Sequence, residues 1–290
     1  MEFVAVFNGL GNQMSQFAFY LAKKKYNPNC RLLIIDNPDS HNGYELARVF
    51  NVDYSPSIFD KFISLLYRKL YWKKSVQCML HMIGFRAIIE PRNYDYSFDY
   101  LKNNKYGIKI YVGGWHSEKY FTHIEKEICT IFDFSVDKDL HYQEILNKIR
   151  TDNSSISIHI RRGDYLNIKP NDFWQLNGVA TDEYYRKSLK YITEKVQHPH
   201  LYVFSNDIEW CKQNIQYSNV TFVSCNKGTN SWRDMQLMSE CRHHIIANST
   251  FSWWGAWLSK DKNGIIIHPQ WFIRDVLTKD FYPDRWICLA

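Results

Sequence analysis

The chain has 290 residues, 45% of them hydrophobic and 17% aromatic. That is enough apolar material for one large domain or two ordinary ones, and it excludes a disordered chain. The formal net charge of +6 suits an anionic partner, whether nucleic acid, nucleotide or anionic membrane, without choosing among them.

Seven cysteines, an odd number with no CxxC pair, argue against a disulfide framework or zinc site and for a reducing compartment. The opening MEFVAVFNGLGNQ lacks a basic segment and turns polar at Asn8, Asn12 and Gln13, unlike a secretory signal. No apolar run is long enough to span a bilayer. The expected location is cytoplasmic, with at most peripheral contact with the inner membrane surface.

The first predicted strand is Phe3 to Phe7. It runs into Asn8-Gly-Leu-Gly-Asn-Gln13 and an amphipathic helix through Lys25. A strand, glycine loop and helix can present backbone N–H groups to an anion, and a plain tight turn is the alternative. The dinucleotide fingerprint needs a third glycine or alanine, where Met14 stands. Arg31 to Asp36 reads as the next strand, and Asn37 to His41 as loop. Between Lys61 and Ile89 there are six Lys or Arg and no Asp or Glu, interleaved with Leu65, Leu66, Leu70 and Trp72. A basic amphipathic helix of this kind can lie on an anionic membrane or simply keep a solvated basic face. Lys109 to Val112 is a predicted strand, Tyr120 to Ile128 a helix, and a further helix runs to about Arg150, where the domain boundary is expected.

The second half alternates regularly. Strands are predicted at Ser155–Ile160, His200–Phe204, Val220–Val223, His244–Ala247 and Gly264–His268. Helices are predicted at Asp182–Val196 with Thr181 as N-cap, Ile208–Ile215, Ser231–Cys241 and Ser252–Ser259. Such alternation predicts a parallel, doubly wound α/β sheet. In that arrangement His159-Ile-Arg161-Arg162-Gly-Asp164, Asn206-Asp207 and Asn248-Ser249-Thr250 all fall on the carboxyl edge, where ligands bind. Two adjacent guanidiniums suit a diphosphate. Ser249 and Thr250 precede a helix, whose positive end adds free N–H groups, although simple N-capping would use the same residues.

Four stretches in order, GLGNQM at 9–14, HIRRGDY at 159–165, SND at 205–207 and DMQLMSECRHHIIANSTFSWWGAWLS at 234–259, resemble the family 11 glycosyltransferases, alpha-1,2-fucosyltransferases that use GDP-fucose. The resemblance spans essentially the whole chain. Two residues depart from the family pattern: Asn8 stands where it usually has glycine, and Ser15 where it usually has an aromatic.

The resemblance implies a GT-B fold, with two Rossmann-like domains facing across a cleft. Residues 1–150 would shape the acceptor side and 151–290 would bind GDP-fucose. It implies an inverting transfer of fucose to a galactose 2-hydroxyl, with no metal or other cofactor. The acceptor would be a galactose-terminated oligosaccharide or a lipid-linked glycan, built at the inner leaflet.

The implied donor-binding residues are Asn12, His159, Arg161, Arg162, Asp234, Asn248, Ser249, Thr250 and Phe251. Within that set Arg161 and the Ser249–Thr250 helix end would stabilise the departing diphosphate. Asp234 would read the guanine edge, His159 would touch guanine or ribose, and Phe251 would pack on the base. Asn12 would reach in from the other domain. Asp164 is a candidate base by location, or else the partner that orients Arg161 or Arg162. The alternatives are another linkage or another nucleotide sugar and, outside enzymes, a basic nucleic-acid-binding protein working through 61–89 or a lectin-like module. The transferase reading needs no nucleic acid.

Three tempting signals have plainer readings. Asp137-Lys-Asp139 is a DxD in an expected connector. His243 and His244 are adjacent and so would face opposite sides of a strand. Trp253 and Trp254 read as packing residues.

Overall fold

A computed structural model describes residues 1–35, 42–103, 106–135, 137–169 and 172–290. It divides into two compact units, Met1–Ser135 and Val136–Ala290.

The first unit runs β1 (Glu2–Val6), α1 (Leu10–Tyr26), β2 (Arg31–Ile34), α2 (Glu45–Phe50), α3 (Ile58–Lys69), α4 (Lys74–Met82), β3 (Phe85–Ile89), β4 (Ile108–Val112) and α5 (Glu125–Ile131). Its four strands are all parallel, in the order β2-β1-β4-β3. β1 is buried along its whole length, as a central parallel strand covered on both faces must be. Its Glu2 is paired with Lys23 at 3.2 Å, both fully buried, and also accepts from Tyr111 and Asn27. β2 ends at Ile34. The expected end of that strand at Asp36, and the loop at 37–41, lie outside the described residues. The basic stretch is two helices and a strand rather than one helix. Gly84, at φ 79°, breaks the run.

The second unit runs α6 (Leu140–Thr151), β5 (Ser155–Ile160), α7 (Asp182–Thr193), β6 (His200–Ser205), α8 (Ile208–Asn214), β7 (Val220–Val223), α9 (Trp232–Glu240), β8 (His243–Ile245), α10 (Thr250–Trp257), β9 (Ile266–Pro269) and β10 (Ile287–Leu289). The division falls before α6, earlier than the boundary expected near Arg150, because Tyr142, Leu146 and Ile149 of α6 pack with Leu237 and Met238 of α9. The six strands are parallel, in the order β10-β9-β8-β5-β6-β7.

β5 alternates as its sequence predicts. Ile156, Ile158 and Ile160 pack into one core with Tyr184, Ile192 and Leu201. The opposite row of Ser155, Ser157 and His159 is also buried, and Ser157 bonds His244 Nδ1 at 2.8 Å. The small polar row faces the other helical layer, not water. Among the described residues no helix is long and apolar enough to cross a membrane.

Candidate active site

Read from β5 outward, the second sheet has the order 3-2-1-4-5-6, the first strand being β5 and the fourth β8. Successive connections leave β5 in opposite directions, so the carboxyl ends of β5 and β8 form the switch point at which open α/β sheets bind ligands. The segments leaving those two strands are Arg161–Asp164 and Asn248–Thr250. They are joined directly, since Tyr165 Oη donates to the Asn248 carbonyl at 3.0 Å.

Arg161 is held from one side. Its Nη2 donates to Asp164 Oδ2 at 2.8 Å, and its Nε lies 2.8 Å from Asp164 Oδ1. Asn206 Nδ2 also reaches Asp164 Oδ1, at 3.2 Å. Both oxygens of Asp164 are therefore engaged. Of its two readings, the geometry favours orienting Arg161.

Arg162 does not join Arg161 in a double fork. Its backbone N–H donates to Asn206 Oδ1 at 2.9 Å, and its guanidinium lies 3.8 Å over the Trp210 ring with Nε 3.5 Å from Asp207. The expected two-arginine clamp thus resolves into one arginine at the switch point and one packed on α8. Gly163 permits this approach: a Cβ there would fall 2.5 Å from Asn206 Nδ2. Asp207 caps α8 through the Trp210 N–H.

On the β8 side, Ser249 is the N-cap residue of α10 but makes no capping hydrogen bond. The capping alternative is thus not realised, and the first turn, which starts at Thr250 and contains no acid, keeps its N–H dipoles available for an anion. Asn248 is different from expectation. It is buried, and its amide donates to the carbonyls of Leu176 at 2.8 Å and Phe272 at 3.0 Å. Both donors serve the frame, so the side chain fixes the loop instead of facing a ligand.

His159 is buried with its ring 5.9 Å from that of Phe251. Burial, aided by Arg161, pushes its pKa down to about 3, so the imidazole is neutral. Its Nδ1 is buried without a hydrogen-bond partner. Asp234 sits in the first turn of α9 and accepts from Asn226 Nδ2 at 2.6 Å. Burial pushes its carboxyl up to about 7, against the opposing effect of that bond. Asn226 Oδ1 is buried and unpartnered. Sequence reading missed Asn226, which belongs to no motif. Its position just past β7, on the same carboxyl edge, was the available signal.

In the first unit Asn12 lies half-buried in the first turn of α1. The glycine loop is shorter than expected and does not form an open anion cradle. The helix starts at Leu10, whose N–H donates to Glu45 Oε2 at 3.0 Å, and the N–H groups of Asn12 and Gln13 both reach Gly9 O. A carboxylate already sits on the positive helix end. Gln13 is consumed by Asn8 O, Gly43 O and the Glu45 N–H. Asn8 adopts φ 66°, a left-handed conformation that glycine takes freely and asparagine tolerates, which explains why Asn can stand at that position. A second residue missed from sequence is Glu90, just past β3. One of its oxygens accepts from the N–H groups of Gly114 and Trp115, both at 2.7 Å, and burial pushes its pKa up to about 8.

The plainer readings hold for the other motifs. Asp137 and Asp139 both clamp Arg233, at 2.7 and 3.0 Å, and Asp139 caps α6. His243 accepts from the Ile265 N–H while His244 meets Ser157. Trp253 and Trp254 are buried. An open cavity of about 900 Å³ lies by Asn29–Arg31, at the amino edge of the first sheet and away from this chemistry.

Comparisons with known proteins identify the family. The profile of Glycosyl transferase family 11 matches residues 63–290. The chain is 33% identical to an alpha-1,2-colitosyltransferase of Escherichia coli, over 96% of this chain and 95% of that one. It is 31% identical to the O-antigen biosynthesis glycosyltransferase WbnK of Escherichia coli, over 97% and 98%. The crystal structure of fucosyltransferase NodZ from Bradyrhizobium shares the fold, with a TM-score of 0.52 at 13% identity over 89% of this chain and 92% of that one. With two parallel α/β units of the GT-B class, and full-length relatives on both sides of the unit boundary, the chain belongs to glycosyltransferase family 11.

Proposed function

We propose that this enzyme transfers L-fucose from GDP-fucose to the 2-hydroxyl of a galactose residue in a glycan acceptor, with inversion at the sugar and without a metal. The acceptor is a galactose-terminated oligosaccharide, free or lipid-linked, of the kind used in O-antigen assembly in the cytoplasm. The observation that carries this reading is the pairing, at one switch point, of Arg161 with the uncapped start of α10. As the fucose–phosphate bond breaks, charge grows on the β-phosphate while the sugar becomes oxocarbenium-like. A fixed guanidinium and a row of helix N–H groups stabilise that charge more in the transition state than in the ground state. Ser249 and Thr250 add hydroxyl donors. Asp234 accepts from the guanine N1–H and N2–H groups, Phe251 packs on the base, and neutral His159 offers a ring N–H to ribose or guanine. Arg162 acts through packing on Trp210, and Asp164 positions Arg161. The acceptor proton leaves late, to solvent or to the departing phosphate.

The colitosyltransferase relative favours a second reading. Colitose is fucose without its 3-hydroxyl, so the donors differ by one polar group. A site that bonds that hydroxyl rejects the deoxy donor strongly, whereas a site that leaves it in water does not. The test is transfer in EDTA from GDP-fucose and from GDP-colitose to a β-galactoside, followed by linkage analysis. Faster fucose transfer with a 2-linked product is the expected result. Preference for GDP-colitose moves the assignment to the second reading, and a product linked elsewhere overturns the 2-hydroxyl.

A further inference from the structure

We propose that α3, α4 and the turn into β3 dock the enzyme on an anionic phospholipid surface. The inner face of this hairpin is ordinary core: Ile63, Tyr67, Tyr71 and Leu80 pack on Phe3, Leu33 and Ile110 of the first sheet. The exposed side of these helices carries large apolar residues as well as charges. Ile58, Phe62 and Leu65 repeat at i, i+4 and i+7 along α3, so they form one stripe, and all three are exposed. Trp72 follows in the interhelical turn at 59% exposure, then Met82 at 78% and Ile83 at 71% at the end of α4.

From Lys61 to Ile89 the charged side chains are all Lys or Arg, with no Asp or Glu. Lys61, Arg68, Lys69, Lys73, Lys74 and Arg86 are exposed, and none of them forms an ion pair among the described residues. The nearest acid in sequence, Asp60, is buried and held by Arg31 at 2.6 Å. The segment carries the equivalent of the whole chain's +6.

Charge complementarity selects the partner. Aliphatic tips and one indole among lysines and arginines suit the boundary between headgroups and acyl chains. Nucleic acid would be met by the basic residues but gains nothing from Ile58, Met82 or Ile83, which cannot stack flat on a base. A second copy of the chain would bring six like charges against six in a two-fold interface. A lipid surface uses both components at once. It also fits an enzyme whose acceptor grows on a lipid carrier, although the docking surface is independent of the donor site.

The experiment is vesicle flotation of the full-length enzyme at low and high salt. Vesicles of phosphatidylcholine alone are compared with vesicles containing phosphatidylglycerol. Two variants are run alongside: Arg68→Glu/Lys73→Glu/Lys74→Glu, and Phe62→Ser/Ile83→Ser. All five positions are exposed and outside the catalytic machinery, so transfer to a soluble acceptor stays at the wild-type rate in both. Wild type floats with the anionic vesicles at low salt, and salt releases it by screening. Each basic residue lost lowers partitioning roughly fivefold, and the apolar variant is also released. Failure of wild type to float with anionic vesicles at low salt overturns the proposal, as does undiminished flotation of the charge-reversed variant. Equal binding to a short DNA duplex, or self-association abolished by the same substitutions without vesicle binding, assigns the face to another partner and also overturns it.

Discussion

On the reading proposed above, Asp234 sets the pH at which the donor is read. Its carboxyl titrates near 7 because it is buried, and the guanine edge needs the ionised form. Holding it ionised above that pH costs on the order of 4 kcal/mol relative to an ordinary carboxylate. Two charge-assisted hydrogen bonds from guanine, each about 1.5–3 kcal/mol, are of the size to offset this. GDP-fucose affinity should therefore rise up to about tenfold per pH unit between pH 5.5 and 7 and level off above. Calorimetric titration across that range checks it, because the diphosphate diester does not itself titrate there. Asp234→Asn should bind more weakly and show no such step. The ligand-free protein has the opposite linkage. Its folded carboxyl has a pKa above the unfolded value, so stability falls as pH rises from about 4 to 7, and Asp234→Asn should raise the melting temperature at pH 8 relative to its effect at pH 5. Asp234 was legible in the sequence only through the family pattern. Its partner Asn226 was not, because a single asparagine after a strand looks like any turn residue until burial leaves its oxygen unbonded.

At the scale of elements, the turn between β8 and α10 shows how one buried amide can hold a site without touching ligand. Asn248 satisfies two carbonyls, on Leu176 and Phe272, that approach from distant parts of the chain. Asn248→Ala removes the donor from the buried Phe272 carbonyl and from the part-buried Leu176 carbonyl. The expected loss of stability is about 2–5 kcal/mol, measured by urea unfolding, with activity falling through misplacement of Ser249. The strands and helices of the second unit as far as β9 were legible because each is a short apolar run closed by polar residues, whereas β10, a three-residue strand at Ile287–Leu289, was not expected. Alternation predicted a parallel, doubly wound sheet, whereas the strand order comes from the structure. The glycine loop misled because Glu45, which fills the helix start, comes from far along the chain. β3 was hidden inside a basic apolar run. Only the close pair Gly84 and Gly107, where a Cβ on Gly107 would lie 2.2 Å from Gly84 O, marks where it begins. The two arginines were read as a pair because sequence gives adjacency, whereas Trp210 and Asp164 decide where each one goes.

At the scale of the whole molecule, the chain forms two α/β units, each with a parallel sheet. The basic segment lies entirely in the first unit, while the anion-binding elements named for the donor are mostly in the second. The boundary was misplaced from sequence because α6 follows a connector and looks like the end of the first unit, yet its apolar face belongs to α9.

The central claim is that Arg161, held by Asp164 at the switch point, stabilises the departing GDP. The direct measurement is the steady-state rate of Arg161→Ala with GDP-fucose and a β-galactoside in EDTA, beside wild type and with the melting temperature of each. The prediction is full wild-type turnover without metal and a loss of about a hundred- to a thousandfold in kcat for the variant, at an unchanged melting temperature. Turnover that survives the substitution, or wild-type turnover that EDTA abolishes, would contradict it.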